Sequence, residues 1–256
     1  MPAFEALEGM PFWQELVTEQ PQKSTYFLSR VFGWEIGTEG ADNYRLARKD
    51  GLPVAGVLPL PSGSSAWVVY FFARGDHSAR VEELGGTVLG TGETPMGAMM
   101  LCRDIAGGVF GIIEPAGEES FVAAGEPGVP VWYEYVAPST AAIDFYGDLF
   151  DWTIHREGSY FTAEIDGAAF LGLSLIDEAP TGIWQTFFGV EHLTSAATQV
   201  VEYGGTLIEG PVDSPFGPLA VVEDPTGAGF FLCEVEKPEF EELSEADSIL
   251  DLDLGD

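Results

Sequence analysis

Residues 131–152 read VWYEYVAPSTAAIDFYGDLFDW, and this stretch decides the fold. Its aromatic and β-branched opening predicts a strand over 132–136. Ser139 is a suitable N-cap, because its hydroxyl can accept a hydrogen bond from a free backbone N–H of the first helical turn. We therefore predict a helix over 139–149, and its apolar stripe at helical spacing consists of Ile143, Tyr146, Leu149 and Phe150.

The same pattern occurs earlier in the chain, where residues 12–34 read FWQELVTEQPQKSTYFLSRVFGW. Further identities stay in register between the two halves, and such self-similarity is the signature of duplicated structural units. The matched pairs include Pro11 and Pro130, Trp13 and Trp132, Glu15 and Glu134, Gly56 and Gly172, and Trp67 and Trp184. The sequence predicts an N-terminal extension over 1–10, a first domain over 11–116, a linker over 117–129, a second domain over 130–236 and an acidic tail over 237–256.

Within each half, one cycle of elements occurs twice. In the second half, three strand-like runs follow the first helix, and then come a further strand, a second helix and three last strands. Asp166-Gly167 separates two of these runs and is typical of a tight β-hairpin. Gly204-Gly205 is a stop signal for the second helix. Each half therefore has the order βαβββ twice, which predicts an α+β fold.

The composition excludes several classes of function. The chain has 42 acidic and 10 basic residues, and a net charge of −32 argues against nucleic-acid binding, since phosphate contacts need Lys and Arg. No apolar run approaches the roughly 20 residues of a membrane helix, and the N-terminus MPAFE lacks the segments of a signal peptide. We expect a cytoplasmic protein with no membrane partner, whose acidic surface favours cationic ligands. Cys102 and Cys233 are expected to be buried thiols and not a disulfide.

The order of elements and two local motifs resemble the vicinal oxygen chelate superfamily, the group of glyoxalase I, extradiol dioxygenases and bleomycin-resistance proteins. The motifs are Phe145-Tyr146 on a helix before LFDW, and EDPTGA at 223–228 before the last strand. The motif Trp-x-Glu at the start of each half, together with the tandem arrangement, resembles two-domain glyoxalase-like proteins of actinobacteria that are labelled hydroxylases. The resemblance covers about residues 11–116 and 130–236. It implies two tandem units, each a pair of βαβββ modules that form a curved, mostly antiparallel sheet around a cavity.

Metal-dependent members of that superfamily carry His, Gln or Glu ligands at inward positions of the first, fourth, fifth and eighth strands of a unit. A divalent ion needs several such donors converging on one point. Of the six residues that we can place at these positions, only Gln185 has a side chain that could bind a metal, and the three histidines lie at other positions. We therefore predict no metal and no cofactor. The placed positions are Phe12, Val68 and Gly111 in the first half and Val131, Gln185 and Phe231 in the second, and the histidines are His77, His155 and His192.

The register of the first strand leaves two alternatives open. In the preferred register, Phe12, Gln14 and Leu16 face inward, and Val131, Tyr133 and Tyr135 do so in the second half. Glu15 and Glu134 would then accept hydrogen bonds on the helix side. A one-residue slip would turn both glutamates inward instead, as candidates for a base or a metal ligand.

In the preferred register the second-half cavity carries hydroxyl and amide groups among aromatic rings, a mixture typical of a small-molecule site. The first half is more apolar and is the candidate for a degenerate copy. The alternative is that these side chains are core residues that bond to each other. The predicted ligand contacts are Tyr133, Tyr135, Gln185, Phe187, Gln14 and Tyr70.

Three functions are compatible with these observations. The preferred one is metal-independent binding of a small aromatic or cationic molecule, for sequestration or resistance, by a monomer that mimics a dimer or by a homodimer. The second is a lyase, isomerase or hydroxylase-like enzyme that uses Tyr133, Tyr135 or Glu134 as acid or base. The third is an interaction protein that uses its acidic tail.

Overall fold

The computed structural model describes residues 3–39, 41, 43–117, 121–123, 125–214 and 217–237. The first half contains β1 (Ala3–Glu5), β2 (Pro11–Thr18), α1 (Pro21–Val31), β3 (Glu35–Thr38), β4 (Arg45–Lys49), β5 (Leu52–Pro59), β6 (Ala66–Phe72), α2 (Ser78–Glu83), β7 (Thr87–Thr94), β8 (Gly97–Arg103), β9 (Val109–Pro115) and β10 (Phe121–Ala123). The second half contains β11 (Pro130–Ala137), α3 (Thr140–Phe150), β12 (Thr153–Glu157), β13 (Tyr160–Ile165), β14 (Ala168–Leu175), β15 (Ile183–Val190), α4 (Leu193–Glu202), β16 (Thr206–Ser214), β17 (Gly217–Glu223) and β18 (Gly229–Glu234).

The two halves form two eight-stranded sheets of equivalent strand order. The first runs β3-β4-β5-β2-β6-β9-β8-β7, and the second runs β12-β13-β14-β11-β15-β18-β17-β16. Each sheet has two parallel pairs, β2 with β5 and β6 with β9 in the first, and β11 with β14 and β15 with β18 in the second. Each half joins its own two βαβββ modules, through β2–β6 or β11–β15. The predicted fold of two tandem, mostly antiparallel, curved sheets is confirmed.

The local signals in the sequence are also confirmed. The Ser139 hydroxyl accepts a hydrogen bond from the backbone N–H of Ala142 at 3.4 Å and begins α3. Asp166 and Gly167 have φ angles of 53° and 78°, the left-handed values that a two-residue hairpin requires and that Asp and Gly tolerate. Gly204 follows α4 with a φ of 90°.

The helices pack on one face of each sheet, and the hydrophobic cores on that side are shared between the halves. Phe27 and Leu28 of α1 belong to the same cluster as Val200 of α4. Phe145 of α3 packs with Phe110 of β9, with ring centroids 5.9 Å apart. The opposite face of each sheet carries no helix in the part of the chain described, and we call it the concave face.

A buried aspartate in the turn between β8 and β9 fixes the second half to the first. One oxygen of Asp104 accepts hydrogen bonds from the hydroxyls of Tyr135 at 2.6 Å and Tyr146 at 2.8 Å. Its other oxygen accepts from the backbone N–H groups of Ala106 and Gly108. This carboxylate thus both orders its own turn and receives two hydroxyls from the other half.

Asp224, in the equivalent turn between β17 and β18, makes the reciprocal connection. The Ser24 hydroxyl of α1 donates to one oxygen of Asp224 at 2.5 Å. The backbone N–H groups of Thr226 and Ala228 donate to the other oxygen. The paired turns therefore hold the two halves together from both sides.

The segments outside the sheets are short. β1 pairs with β10, which joins the predicted N-terminal extension to the predicted linker. Of the predicted acidic tail only Lys237 is described, and the rest of that segment lies outside the described residues. No described helix has the length and apolar character needed to cross a membrane.

Candidate functional site

A β-bulge in the first strand of each half determines which side chains reach the concave face. Between Pro11 and Trp13, β2 has one residue more than its partner β6, and the extra residue is Phe12. β11 has the same irregularity between Pro130 and Trp132 against β15. A bulge places two successive residues opposite one on the partner strand, so the alternation of faces shifts by one beyond it. Phe12 and Trp13 accordingly both belong to the concave cluster.

The predicted inward register is therefore wrong beyond the bulge. Leu16 packs with Phe27 and Leu28 of α1 on the helix side. Gln14 is 3% exposed, and its amide nitrogen donates to the backbone carbonyl of Val54. The alternative register, with the glutamates on the concave face, is the one observed.

Three predicted ligand contacts consequently lie between the halves and not in a cavity. The hydroxyl of Tyr133 donates to the side-chain oxygen of Gln14 at 2.5 Å, and the hydroxyl of Tyr135 donates to Asp104. Burial raises the pKa of Tyr133, and burial followed by the charge of Asp104 raises the pKa of Tyr135. Both hydroxyls therefore stay protonated as structural donors, and neither is placed to act as the acid or base of a reaction on the concave face.

In the first half the concave face is a packed core. The Glu15 side chain is 1% exposed and accepts hydrogen bonds from the Tyr44 hydroxyl at 2.6 Å and the Tyr70 hydroxyl at 3.0 Å. Burial raises the pKa of Glu15, although the tyrosine hydrogen bonds oppose the shift. The residues packed around this group are all buried: Trp13, Leu46, Val68, Phe72, Met99 and Ile113. Tyr70 is on the predicted face, but it fills the space that a ligand would need.

The glutamate and one tyrosine recur in the second half, and a glycine makes each contact sterically possible. The Tyr44 hydroxyl would lie 2.1 Å from a Cβ at Gly56, and the Tyr160 hydroxyl would lie 2.0 Å from a Cβ at Gly172. Only glycine permits this approach. The Tyr160 hydroxyl then reaches Glu134 at 3.2 Å, as Tyr44 reaches its own glutamate.

The concave face of the second half is open where that of the first half is filled. Trp132, Glu134 and Gln185 are each partly exposed, and Gln185 lies directly across from Glu134 in the strand register. Phe187 stacks on Phe231 with ring centroids 4.3 Å apart. Two of the predicted contacts, Gln185 and Phe187, are thus on this face, among aromatic surfaces and beside a carboxylate.

Cys233 also lies on this face and is only partly buried, contrary to the expectation of a buried thiol, whereas Cys102 is buried as predicted. Burial raises the pKa of the Cys233 thiol to about 11. This thiol is therefore a weak nucleophile at neutral pH.

The residues at the metal-ligand positions do not fit a metal. In the first half, the Tyr70 ring lies 1.9 Å from where a Cβ of Gly111 would be, so an aromatic ring occupies the strand-eight position. In the second half that position is Phe231, stacked on Phe187. Of these positions only Gln185 supplies an oxygen, and the observed register adds Glu134 across from it. Two donors are too few, and no group of three or more His, Cys, Asp or Glu among the described side chains could hold a metal ion. The remaining positions are hydrocarbon: Phe12, Val68 and Val131.

Comparisons with known proteins agree with this fold. Residues 135–231 match the model of the Glyoxalase/Bleomycin resistance protein/Dioxygenase superfamily. Anthracycline biosynthesis protein DnrV of Streptomyces peucetius is 29% identical over 266 aligned residues, which cover 90% of this chain and 94% of the relative. The Mn(II)-bound glyoxalase of Novosphingobium aromaticivorans has a TM-score of 0.65 at 14% identity, covering 93% of this chain and 85% of its own. The 2,3-dioxygenase LapB of Pseudomonas sp. KL28 has a TM-score of 0.64 at 11% identity, covering 92% and 96%.

Two tandem units of paired βαβββ modules, one filled and one open, define a glyoxalase-like protein with a single open concave face among the residues described. Residues 135–231 thus match this superfamily in sequence, and the whole chain shares the fold of the solved glyoxalase and dioxygenase structures.

Sequence reasoning did not select several residues of the open face, among them Trp132, Tyr160, Ser174 and Phe231. One signal for them was present. Tyr44 precedes Gly56 by the same interval as Tyr160 precedes Gly172, and each pair accompanies a matched glutamate. A tyrosine, glycine and glutamate that recur together indicate a contact across neighbouring strands.

Proposed function

We propose that the second half binds a small aromatic molecule on its concave face without a metal ion, for sequestration or delivery. The observation that carries this proposal is the difference between the two halves. Equivalent positions hold a packed tyrosine–glutamate core in the first half and partly exposed Trp132, Glu134 and Gln185 in the second. Mostly apolar surfaces with a few convergent polar groups are typical of small-molecule sites.

The absence of a suitable donor set supports the metal-independent part of the proposal. Four of the six ligand positions carry hydrocarbon or aromatic side chains, a fifth is Gly111 with the Tyr70 ring against it, and the Phe187–Phe231 stack lies where the eighth strand would supply a ligand. Flat aromatic surfaces favour a flat, apolar ligand through offset or edge contacts. The name of the relative DnrV, an anthracycline biosynthesis protein, supports an aromatic ligand of that general kind.

The test uses the neutral probe naphthalene-1-methanol in isothermal titration calorimetry, with and without EDTA. We expect one binding event per chain and the same affinity after chelation. Phe231→Ala should weaken binding about tenfold, as expected for the loss of a buried aromatic contact. An affinity that falls sharply with EDTA, or a Phe231→Ala variant that binds as well as the wild type, would reject the proposal.

A second candidate is an enzyme of the same superfamily that acts on an aromatic metabolite, and the naming of DnrV for biosynthesis favours it. Of the acid–base residues predicted from the sequence, Glu134 alone is on the open concave face of the second half, whereas Glu15 is buried in the first, so Glu134 would be the base. Mass spectrometry of bound metabolites after incubation separates the candidates. Conversion that requires Glu134 supports an enzyme, and a ligand recovered unchanged supports a binding protein.

A further inference from the structure

We infer that Glu134 is the polar anchor of the open face and that it selects aromatic ligands carrying a protonated amine. This inference depends on the proposed binding function and adds the chemical class of the ligand.

The two glutamates occupy the same strand position but have different surroundings. Glu15 is almost fully buried and receives a tyrosine hydroxyl on each oxygen. Glu134 accepts hydrogen bonds from Tyr160 and Ser174, and it is partly exposed. The residue that corresponds to Tyr70 is Phe187, since both lie opposite the tryptophan of the first strand. Phenylalanine cannot donate, and the Ser174 hydroxyl takes the place of the second tyrosine, so each oxygen of Glu134 accepts one hydrogen bond. Because a carboxylate has about four acceptor sites and Glu134 is partly exposed, it keeps acceptor capacity on the open side.

No cation of the described chain neutralises this carboxylate. The ion pairs among the described residues join Arg48 to Glu39 and Arg80 to Glu83, and neither includes Glu134. An ammonium group has three donors and prefers an ionised acceptor. A ligand amine would therefore supply the charge partner that the protein does not.

The aromatic residues around the carboxylate fit the rest of such a ligand. Trp132 is two positions before Glu134 on the same face, and Phe187 pairs with Trp132 across the strands. Aromatic faces attract both flat rings and cations. Burial, followed by the nearby charge of Glu134, raises the pKa of Tyr160 to about 12, so its hydroxyl remains a donor that orients the carboxylate.

The experiment compares two probes of equal size, the cationic 1-naphthylmethylamine and the neutral naphthalene-1-methanol, at pH 7 in calorimetry. We expect the full-length protein to bind the amine at least about tenfold more tightly, the factor expected for one charge-assisted contact. Glu134→Gln should remove this preference while the affinity for the alcohol stays within about twofold. Glu15→Gln is the matched control, and it should leave the preference intact.

The outcomes separate the inference from the proposed function. A wild-type protein that binds both probes equally well overturns the inference but leaves the binding function standing, whatever the glutamate variants do. A preference that survives Glu134→Gln also overturns it. If neither probe binds at millimolar concentration, the proposed function fails and the inference fails with it.

Discussion

Tyr135→Phe tests whether the first strand faces the way the structure places it. The hydroxyl of Tyr135 donates to Asp104 at 2.6 Å, in a fully buried position between the halves. Loss of one hydrogen bond to a charged group costs about 2 kcal/mol. For a chain of this size, 1 kcal/mol corresponds to roughly 2–4 °C, so we expect the melting temperature to fall by roughly 4–8 °C.

The assay pairs differential scanning calorimetry with titration of naphthalene-1-methanol. We expect lower stability and an unchanged probe affinity, because the Tyr135 side chain lies on the helix side and the probe on the concave face. Asp104→Ala should destabilise the protein more, because four donors lose their acceptor: two hydroxyls and two backbone N–H groups. A Tyr135→Phe variant with the wild-type melting temperature and a clearly weaker affinity would refute this placement and restore the register preferred from the sequence.

Further predictions concern the two concave faces. The raised pKa of Glu15 means that the folded state favours the protonated carboxyl group. The contribution of Glu15 to the free energy of unfolding is therefore complete below pH 4.5 and is lost as the pH rises through the pKa of the folded state. In urea unfolding, wild type should therefore lose stability relative to Glu15→Gln as the pH rises above 4.5, and a constant difference would count against it. Gly172→Ala should displace Tyr160 and weaken probe binding, seen by calorimetry, since a Cβ would lie 2.0 Å from the hydroxyl; unchanged binding would contradict this contact. Cys233 should be alkylated slowly in the folded protein at pH 9 and protected by the probe, whereas Cys102 should react only on unfolding; mass spectrometry distinguishes the two, and equal rates would argue against the assigned burial.

The duplication and the order of elements could be predicted from the sequence because they rest on local signals that repeat. Ser139 as an N-cap and Asp166-Gly167 as a hairpin are chemical choices with few alternatives. The predicted face of strand five is also the observed one, and Gln185 and Phe187 lie on the concave face of the second half.

The first strand was placed on the wrong face for a physical reason. The bulge residues Phe12 and Val131 are ordinary strand formers, and neither carries the glycine or turn chemistry that marks some bulges. A prediction that assumes strict alternation across the bulge therefore assigns every later residue of the strand to the opposite face. The same error hid the function of Tyr133 and Tyr135, which bond across the interface between the halves.

The sequence gives little indication that the concave face is filled in the first half and open in the second, because this difference depends on long-range contacts. Tyr44 and Tyr70 converge on Glu15 from two other strands, and that closes the first half. In the second half Phe187 stands in place of Tyr70, a change that means little until the strand pairing is known.

A crystal structure of the protein soaked with 1-naphthylmethylamine and Mn²⁺ tests the central claim most directly. We expect density for the naphthalene ring against Trp132 and Phe187, its amine beside Glu134, and no anomalous manganese peak on either concave face. A manganese ion coordinated by the side-chain oxygen of Glu134 or Gln185 would contradict the claim, as would a naphthalene ring bound in the first half.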